Sequence, residues 1–358
     1  MKNYYWLILL ISVLACSGQP NHKNSNEAAT TSSSPKNYKE TVCFVYHRFG
    51  DNRFPSTNIT LKDFEQHLQW LKHNNYLVVT LSEAIQGLKQ ESAERKTAVI
   101  TIDDGYKSFY KNGLPLLRKY QFPATLFINT ETVGSGDYMN WEELKEASHN
   151  GIEIGNHTHS HAYFLNIDEN ERYLRFKKDI EISQDHIEKN LLLKPQVFAY
   201  PYGEFDNKMK EIVRTSGFIG AAAQNSGVLN SLSDNFQIPR FPMSESTAGQ
   251  FEEKAKMQSL KVTHTNAADY ILPKGEKQPV LQLTLDTKGI STRQIQCFAQ
   301  GSKCTVKVSS SSENQTLIEV MSTTDISKNR RTLYTVTAPD SAGHWHWFSH
   351  LWINPAVH

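Results

Sequence analysis

The chain has almost no net charge, no apolar run long enough to span a membrane and no His-Glu-x-x-His motif. Its 38 Lys and Arg nearly balance its 37 Asp and Glu, so the formal net charge is +1. Nucleic-acid-binding proteins usually present a strongly basic face, so this balance argues against that class. The missing His-Glu-x-x-His motif argues against a zinc peptidase of that type.

The N-terminus has the features of an export signal. Residues 4–14 form an apolar run of signal-peptide length that is too short for a bilayer span, and Ala15 and Cys16 follow it. Residues 13–16 (VLAC) resemble a bacterial lipobox, whose cysteine is lipidated and becomes the mature N-terminus. An ordinary cleaved signal peptide with a chance cysteine is the alternative. The sequence predicts a signal peptide over 1–15 and a flexible tether over 16–40, because 17–40 contain almost no large apolar side chain.

The three remaining cysteines have two different expected fates. Cys297 and Cys304 bracket the polar segment FAQGSK, which predicts a hairpin loop with the two cysteines facing each other across the strands. An exported protein can form a disulfide there. Cys43 lies in an apolar strand and is expected to be a buried free thiol.

From residue 41 the sequence alternates between strand-like and helix-like segments. The predicted strands, which are short and apolar, are 42–46, 77–81, 98–102, 124–129, 152–155, 197–200, 218–222 and 238–241. Helical spacing of apolar residues marks 61–73, 141–147, 170–190 and 206–215. Thr60 is the expected N-cap of the helix over 61–73, and Ser82 is the expected N-cap of a further helix that follows it. Roughly eight strand-then-helix units predict an α/β fold, a closed or nearly closed (β/α) barrel.

After residue 241 the pattern changes. A helix-like stretch at 249–259 leads into a segment of Thr, Asn, Pro and Gly that ends near 278. Short alternating stretches follow and predict a small all-β, sandwich-like module. The predicted strands of this module are 280–286, 292–298, 304–308, 316–321, 332–337 and 344–353. The expected boundaries are therefore a first domain over 41–262, a linker over 263–278 and a C-terminal domain over 279–358.

Two adjacent carboxylates end one predicted strand. Asp103 and Asp104 follow the apolar segment 98–102 and precede Gly105. Successive side chains on an extended chain point in different directions, so one carboxylate can bind a metal while the other accepts a proton. A strand followed by an ordinary Asp-Gly turn is the alternative.

A cluster of histidines follows another strand. His157, His159 and His161 lie within the segment HTHSH, directly after 152–155. His157 and His161 are four residues apart, so one helical turn would bring both imidazoles to one side. Two histidines and one aspartate leave a coordination position open, which is typical of a catalytic zinc site. A polar surface loop is the alternative.

Three weaker signals also fall at predicted strand ends. They are His47 after Tyr46, Tyr202 in the segment YPYG, and Arg240 in the last strand of the first domain. In a β/α barrel the carboxyl ends of the strands share one face, where active sites are built. We therefore expect these residues to lie near the two aspartates and the histidine cluster.

Taken together in this order, the segments TIDDGY (101–106), HTHSH (157–161) and YPYG (200–203) resemble the signature segments of the NodB-type polysaccharide deacetylases, carbohydrate esterase family 4. The resemblance covers about residues 41–243. It implies a distorted (β/α) barrel of seven or eight strands. Asp103 matches the catalytic base of the family, and Asp104, His157 and His161 match the ligands of a divalent metal. Zn²⁺ is the first expectation, with Co²⁺ or Ni²⁺ as alternatives.

The resemblance implies roles for three further residues. The opening strand, which ends at His47, is similar to the subgroup that includes the poly-β-1,6-N-acetylglucosamine deacetylases, where this histidine looks like the general acid. The backbone N–H of Tyr202 would help to hold the oxyanion. Many family members carry an arginine two residues before Pro201, where it pairs with the catalytic aspartate, but Ala199 stands there in this chain. Arg240 is the candidate replacement.

The resemblance implies a metal-dependent hydrolase, a polysaccharide N-deacetylase that releases acetate from an N-acetylglucosamine-containing polysaccharide. The expected partners are that polysaccharide, exopolysaccharide-export or cell-wall machinery, and a membrane bound through lipidated, palmitate-bearing Cys16. The expected location is that of an exported lipoprotein, in the outer membrane or periplasm of a diderm host. Two alternatives remain open: a deacetylase of peptidoglycan, chitin-like oligomers or O-acetyl esters, and a non-catalytic polysaccharide-binding or assembly lipoprotein, which Ala199 would favour.

The C-terminal segment 344–352 is dense in aromatic residues and histidines. Trp345 and Trp347 are two residues apart, so they share one face of a predicted strand. A sugar-binding platform is one interpretation, and filling of the sandwich core is the favoured one. Asn140 and Trp141 also resemble a family segment, although capping and packing of a helix explains them equally well.

Overall fold

The structure is a computed structural model that describes residues 40–88, 96–312 and 314–357. The predictions of a signal peptide over 1–15 and of a tether with lipidated Cys16 lie outside these residues. In the described part of the chain, no helix has both the length and the apolar character that crossing a membrane requires.

The first domain alternates strands with helices. Its strands are β1 (Glu40–Tyr46), β2 (Arg48–Phe49), β3 (Asn58–Ile59), β4 (Leu77–Val79), β5 (Thr97–Ile102), β6 (Ala124–Ile128), β7 (Ile152–Asn156), β8 (Val197–Ala199), β9 (Gly220–Ala222), β10 (Val228–Asn230) and β11 (Phe241–Pro242). Its α-helices are α1 (Leu61–His73), α2 (Leu81–Gly87), α3 (Leu114–Tyr120), α4 (Trp141–His149), α5 (Glu169–Leu191), α6 (Asn207–Thr215) and α7 (Phe251–Lys256).

Nine of these strands form one curled sheet in the order β10-β1-β5-β6-β7-β8-β9, with β4 beside β5 and β11 beside β1. All pairings are parallel except that of β1 with β10. Among the described residues no ladder joins β9 to β10, and the bridge between Ala222 and Ile238 is isolated. The sheet is therefore an incompletely closed barrel, which confirms the expected distorted α/β barrel.

The two faces of the curled sheet pack differently. The inner face carries mostly small or slender side chains, and α2 packs against the same cluster. Cys43 belongs to this cluster and is a buried free thiol, as expected. A Cβ at Gly155 would lie 2.4 Å from the ring of Phe127, so the inner face has no room for a side chain there. The outer face carries larger residues, such as Phe44, which pack under the surrounding helices.

Local signals define the helix starts. Thr60 accepts a hydrogen bond from the Asp63 backbone N–H, so α1 begins at Leu61 as predicted. The predicted cap Ser82 is wrong, because Thr80 and Glu83 form a reciprocal capping box and α2 begins one residue before Ser82.

The second domain is an eight-stranded sheet that folds over on itself. Its order is β12-β19-β18-β15-β16-β17-β14-β13. The core lies between the two halves and is filled by aliphatic residues, Tyr334 and Trp352, which confirms a second, all-β domain. Its strands are β12 (Gln258–Ser259), β13 (Val262–Thr265), β14 (Leu281–Asp286), β15 (Gln296–Ala299), β16 (Ser302–Ser311), β17 (Gln315–Ser322), β18 (Arg331–Pro339) and β19 (Trp345–Ile353).

Two details of the second half differ from the sequence prediction, and a third agrees with it. The helix expected over 249–259 is shorter and ends at Lys256, where β12 begins the second sheet two residues later. The linker expected over 263–278 begins inside β13, which pairs with β14. These two edge strands were missed because each is too short for an alternating pattern to be visible. The hairpin expected between Cys297 and Cys304 is present, and the two cysteines form a disulfide.

The aromatic segment in β19 does not act as one unit. Trp352 lies in the core of the second domain, whereas Trp347 packs against the first domain and donates its indole N–H to the Ser226 hydroxyl at 2.9 Å. Trp345 is 39% exposed. Trp347 therefore contributes to the contact between the domains rather than to the sandwich core or to an open platform.

Candidate active site

The residues singled out in the sequence converge at one end of the barrel. His47 follows β1, the two aspartates follow β5, and the histidine cluster follows β7. Tyr202 lies in the turn Pro201–Gly203 after β8. Arg240 departs from the prediction, because the strand there is Phe241–Pro242 and the arginine precedes it. Its side chain nevertheless reaches the same end of the barrel.

Asp104, His157 and His161 bring their ligand atoms together. The Asp104 Oδ1 atom lies 3.5 Å from the Nε2 atom of each histidine, and the two Nε2 atoms lie 3.1 Å apart. Asp104 adopts a left-handed backbone with φ of 73°, which turns its carboxylate away from that of Asp103. The expected division of the adjacent carboxylates between two positions is therefore present.

A loop, not a helical turn, brings the two histidines together. Thr158 and His161 both have positive φ, 67° and 52°. The backbone N–H of His161 donates to the Thr158 hydroxyl, and Asp179 on α5 accepts the N–H groups of the two residues between them. The prediction that one helical turn brings His157 and His161 together was wrong. The Thr158 hydroxyl and the Asp179 carboxylate instead stabilise a non-helical loop between them.

The three ligand atoms fit a divalent cation. His157 donates its Nδ1 proton to the Ala199 carbonyl at 2.8 Å, which leaves the Nε2 lone pair directed at Asp104 and His161. A tetrahedral zinc ion with ligands at about 2.0–2.2 Å separates those ligand atoms by roughly 3.3–3.6 Å. The measured separations of 3.1–3.5 Å lie close to that range. Among the described residues, this is the one group of three or more His, Cys, Asp or Glu side chains with such geometry.

The electrostatics of the group favour positive charge at its centre. Burial raises the pKa of Asp104, but the neighbouring histidines outweigh it and hold this pKa well below its usual range. Burial lowers the pKa of His161 to about 4, so this imidazole is neutral and able to ligate. Burial also lowers the pKa of His157, yet the two aspartates outweigh it and raise this pKa overall. The negative charge of the two aspartates that raises the pKa of His157 also favours a bound cation at this position.

Asp103 is paired with Arg240 in the barrel interior. The Arg240 Nη1 and Nη2 atoms donate to the two Asp103 oxygens at 2.7 and 2.9 Å. Arg240 also donates to the Thr101 hydroxyl and the Ala223 carbonyl, and its side chain is fully buried. Burial raises the pKa of Asp103, but Arg240 and His157 outweigh it, so the pKa is lowered and the carboxylate is ionised at neutral pH. Arg240 therefore reaches the aspartate that sequence reasoning assigned to it.

His47 and Tyr202 border the same space. His47 is half-buried and lies close enough to Asp103 and Asp104 to influence both carboxylates electrostatically. The Tyr202 ring lies 4.5 Å from the ring of His161 and stacks face to face on Tyr163, with centroids 3.6 Å apart. Tyr163 was missed in the sequence, because a single tyrosine in a loop carries no pattern.

The remaining motif candidate is structural. Asn140 caps α4 by accepting a hydrogen bond from the Glu143 N–H, and Glu143 accepts the N–H of Asn140 in return. Trp141 packs against the outer core. Capping and packing therefore account for this pair.

Comparison with known proteins agrees with this geometry. A family model described as Polysaccharide deacetylase matches residues 90–220. Residues 90–220 are therefore similar to a polysaccharide deacetylase domain of the NodB type. The matched range includes both aspartates, the histidine cluster and Tyr202, whereas His47 and Arg240 lie outside it. The comparison confirms the expected enzyme class, a polysaccharide deacetylase.

Individual relatives extend the match beyond that range. The chain is 25% identical over 276 residues to the poly-beta-1,6-N-acetyl-D-glucosamine N-deacetylase of Staphylococcus aureus, covering 68% of this chain and 94% of that protein. It matches the solved structure of IcaB from Ammonifex degensii with a TM-score of 0.54 and 25% identity, over 62% of this chain and 99% of that one. The Streptococcus pyogenes deacetylase PplD, at 19% identity and a TM-score of 0.55 over 60% of this chain and 97% of that one, shares the fold.

Proposed function

We propose that this protein is a metal-dependent N-deacetylase that removes acetyl groups from an N-acetylglucosamine polysaccharide and releases acetate. One observation supports it above all others. The Asp104, His157 and His161 cluster lies directly beside an ionised carboxylate, Asp103, that is not part of the cluster. A cation-binding group next to a separate proton acceptor is the arrangement that hydrolysis of an acetamide requires.

The residues of the chain divide the reaction between them. Asp104, His157 and His161 would hold the ion, and Zn²⁺ fits this donor set with one carboxylate and two imidazoles. A bound divalent ion supplies Lewis acidity at the acetyl carbonyl and lowers the pKa of water. Asp103 accepts the proton of the attacking water, since each of its oxygens keeps a second lone pair beyond the bond to Arg240.

Two residues act on the acetyl carbonyl oxygen, which becomes negatively charged, and on the leaving amine, which needs a proton. The backbone N–H of Tyr202 donates a hydrogen bond to the oxyanion of the tetrahedral intermediate. His47 gives a proton to the leaving amine, without which the C–N bond of an amide does not break at a useful rate.

Poly-β-1,6-N-acetylglucosamine is the proposed substrate. The N-deacetylase relative from Staphylococcus aureus carries that substrate in its name, and the chain covers 94% of its length. That alignment is longer than the family-model match. The resemblance of the opening strand and His47 to the same subgroup supports the choice.

Acetate release from partially N-acetylated β-1,6-glucosamine oligomers tests the proposal. The fragment 35–358, which lacks the predicted signal peptide and most of the predicted tether, is stripped of metal and reconstituted with Zn²⁺, Co²⁺ or Ni²⁺. We expect release that depends on added metal. The Asp103→Asn variant should lose turnover and keep its metal, whereas Asp104→Ala should lose the metal. The exposed Asp185 on α5 provides a matched control, and Asp185→Asn should behave as the wild type.

Other outcomes have definite meanings. Release from peptidoglycan or chitin fragments alone would reassign the substrate. Metal binding without release from any of the three would favour the non-catalytic binding role. The His47→Ala variant should lose more activity on amides than on activated acetyl esters, because an ester leaving group needs less help from an acid. Equal losses would contradict its role as the acid.

We also propose that the protein is an exported lipoprotein anchored to a membrane through Cys16, in the outer membrane or periplasm of a diderm host. The support is the sequence alone, residues 13–16 after an apolar run. The full chain should partition into detergent and carry label from radioactive palmitate. The Cys16→Ser variant should do neither, and recovery of that variant in the membrane fraction with label would contradict the anchor.

A further inference from the structure

The β domain directs two neighbouring arginines into the first domain at the turn that carries Tyr202. Arg331 is the first residue of β18, and Arg330 precedes it. β18 pairs along its whole length with β19, starting with Arg331 opposite Ile353. The two guanidinium groups therefore extend from a well-paired strand start rather than from a free loop.

Arg330 binds a buried carboxylate next to the turn. Its Nε and Nη2 atoms donate to the two oxygens of Glu204 at 2.7 and 2.6 Å, and the Glu204 side chain is 3% exposed. It also donates to the Asn166 side chain and to the Val357 carbonyl. A bidentate pair with so little solvent contact fixes the position of Glu204 more tightly than a surface pair would.

Arg331 holds the turn itself. Its Nη1 atom donates to the Tyr202 carbonyl at 2.9 Å, and its Nε atom lies 3.7 Å from Glu204. Tyr202 has φ of 58° and ψ of 6°, and Gly203 follows with φ of 69°. A tyrosine rarely adopts this left-handed backbone, and such a conformation persists only where the surroundings enforce it. Arg331 is one of the groups that enforce it here.

The same contacts continue to the metal-binding cluster. The Arg330 guanidinium lies 4.7 Å from the centre of the Tyr163 ring. Tyr163 stacks on Tyr202, and the Tyr202 ring lies 4.5 Å from that of His161. A continuous set of contacts therefore runs from the start of β18 to a proposed metal ligand.

We propose that Arg330 and Arg331 are positioning residues for the deacetylation reaction and that the β domain completes the active site through them. They hold the turn at Tyr202 in the conformation that presents its N–H to the oxyanion. The inference rests on the proposed function, because the oxyanion arises only in that reaction. Since this hydrogen bond strengthens in the transition state, weakening the turn should lower kcat more than it changes KM.

Arg331→Met is the sharper test, because Arg331 is 38% exposed and its loss leaves the buried Arg330 pair in place. We expect kcat for acetate release to fall about tenfold, which is less than the factor of about 10²–10³ that outright loss of an oxyanion donor costs. KM, bound metal and the melting temperature should change little. Arg331→Lys should recover much of the loss, because an ammonium can donate to the same carbonyl. Arg293→Met, which removes an exposed arginine of the same domain, is the matched control.

Amide hydrogen exchange provides a readout that needs no activity. Arg331→Met should speed exchange in residues 200–206 and leave the core strands β5 and β6 unchanged. Unchanged kcat with unchanged exchange would overturn the proposal, and so would equal losses in Arg293→Met or faster exchange throughout the chain. If the wild type releases no acetate, the proposed function fails, and the exchange comparison still decides whether these arginines hold the turn.

Discussion

The pairing of Arg240 with Asp103 predicts a large and specific effect on stability. Both side chains are at most 1% exposed, and the guanidinium makes four hydrogen bonds, two of them to the carboxylate. Arg240→Met replaces the arginine with an apolar side chain of similar length and removes all four. The buried Asp103 carboxylate then lacks the guanidinium that donates to both of its oxygens.

The expected magnitude follows from the geometry. A bidentate pair places its charge centres roughly 4 Å apart, where the attraction is about 4 kcal/mol at an effective dielectric constant of about 20. Removal of one partner of a buried pair typically costs about 3–5 kcal/mol, since an uncompensated charge remains. We therefore expect Arg240→Met to lower the free energy of unfolding by about 3–5 kcal/mol.

A double-mutant cycle measured by urea unfolding isolates this interaction. Asp103→Asn leaves the arginine charge buried and should also be costly. The double variant Asp103→Asn/Arg240→Met has neither charge, so it should be more stable than the sum of the single losses predicts, by about 2–3 kcal/mol. Additivity of the two losses within about 0.5 kcal/mol would refute the pairing argument. Replacement of the exposed Arg214 on α6 by Met should cost far less.

Moving the arginine from position 240 to position 199 provides a second test of the pairing with Asp103. Ala199 is fully buried in the inner-face cluster, on the strand where many family members carry the arginine. In the Ala199→Arg/Arg240→Met variant, a guanidinium returns to the barrel interior from β8, where it can approach Asp103 across the barrel. We expect acetate release to recover relative to Arg240→Met alone. Failure to recover, in a variant that folds, would show that the path of Arg240 itself is required.

Three further predictions concern stability rather than catalysis. Burial lowers the pKa of His67 to about 4, so the unfolded chain binds more protons between about pH 6.5 and 4, and stability should fall as the pH falls through that window. Urea unfolding at pH 7 and 4.5 should show that the wild type loses about 2 kcal/mol more than His67→Gln; equal losses would contradict this. Gly155→Ala should cost about 1–3 kcal/mol in the same assay, because its Cβ would meet Phe127. Replacement of Cys297 and Cys304 by Ser should cost about 2–3 kcal/mol through lost loop closure, and dithiothreitol should reproduce that loss in the wild type alone.

Features encoded within a few neighbouring residues were predictable from the sequence. The bounds of α1 match because Thr60 caps its start and apolar residues repeat at helical spacing behind it. The histidine cluster was located because three histidines fall within five residues directly after an apolar strand. The backbone conformation of this loop was not predicted, because the carboxylate that accepts its N–H groups belongs to Asp179, on the helix that follows.

Features that depend on distant segments were predicted poorly. β10 and β12 are three and two residues long, and pairing with β1 and β19 rather than a local pattern makes them strands. Arg330 and Arg331 bind a turn about 130 residues earlier in the chain. Nothing in the sequence near β18 distinguishes these two arginines from ordinary surface residues, since their partners come from the other domain.

The arginine expected at position 199 is replaced in this chain by Arg240, which comes from a different segment. Buried, ionised Asp103 requires a positively charged side chain nearby. That side chain can come from any segment of the chain that reaches Asp103. β8 and the segment before β11 both border the barrel interior, so a guanidinium from either one can reach that point. Here β8 carries Ala199, and Arg240 supplies the guanidinium instead, with its Nε donating to the Ala223 carbonyl after β9. The missing arginine at 199 is therefore compensated within the fold, and it does not by itself favour a non-catalytic role.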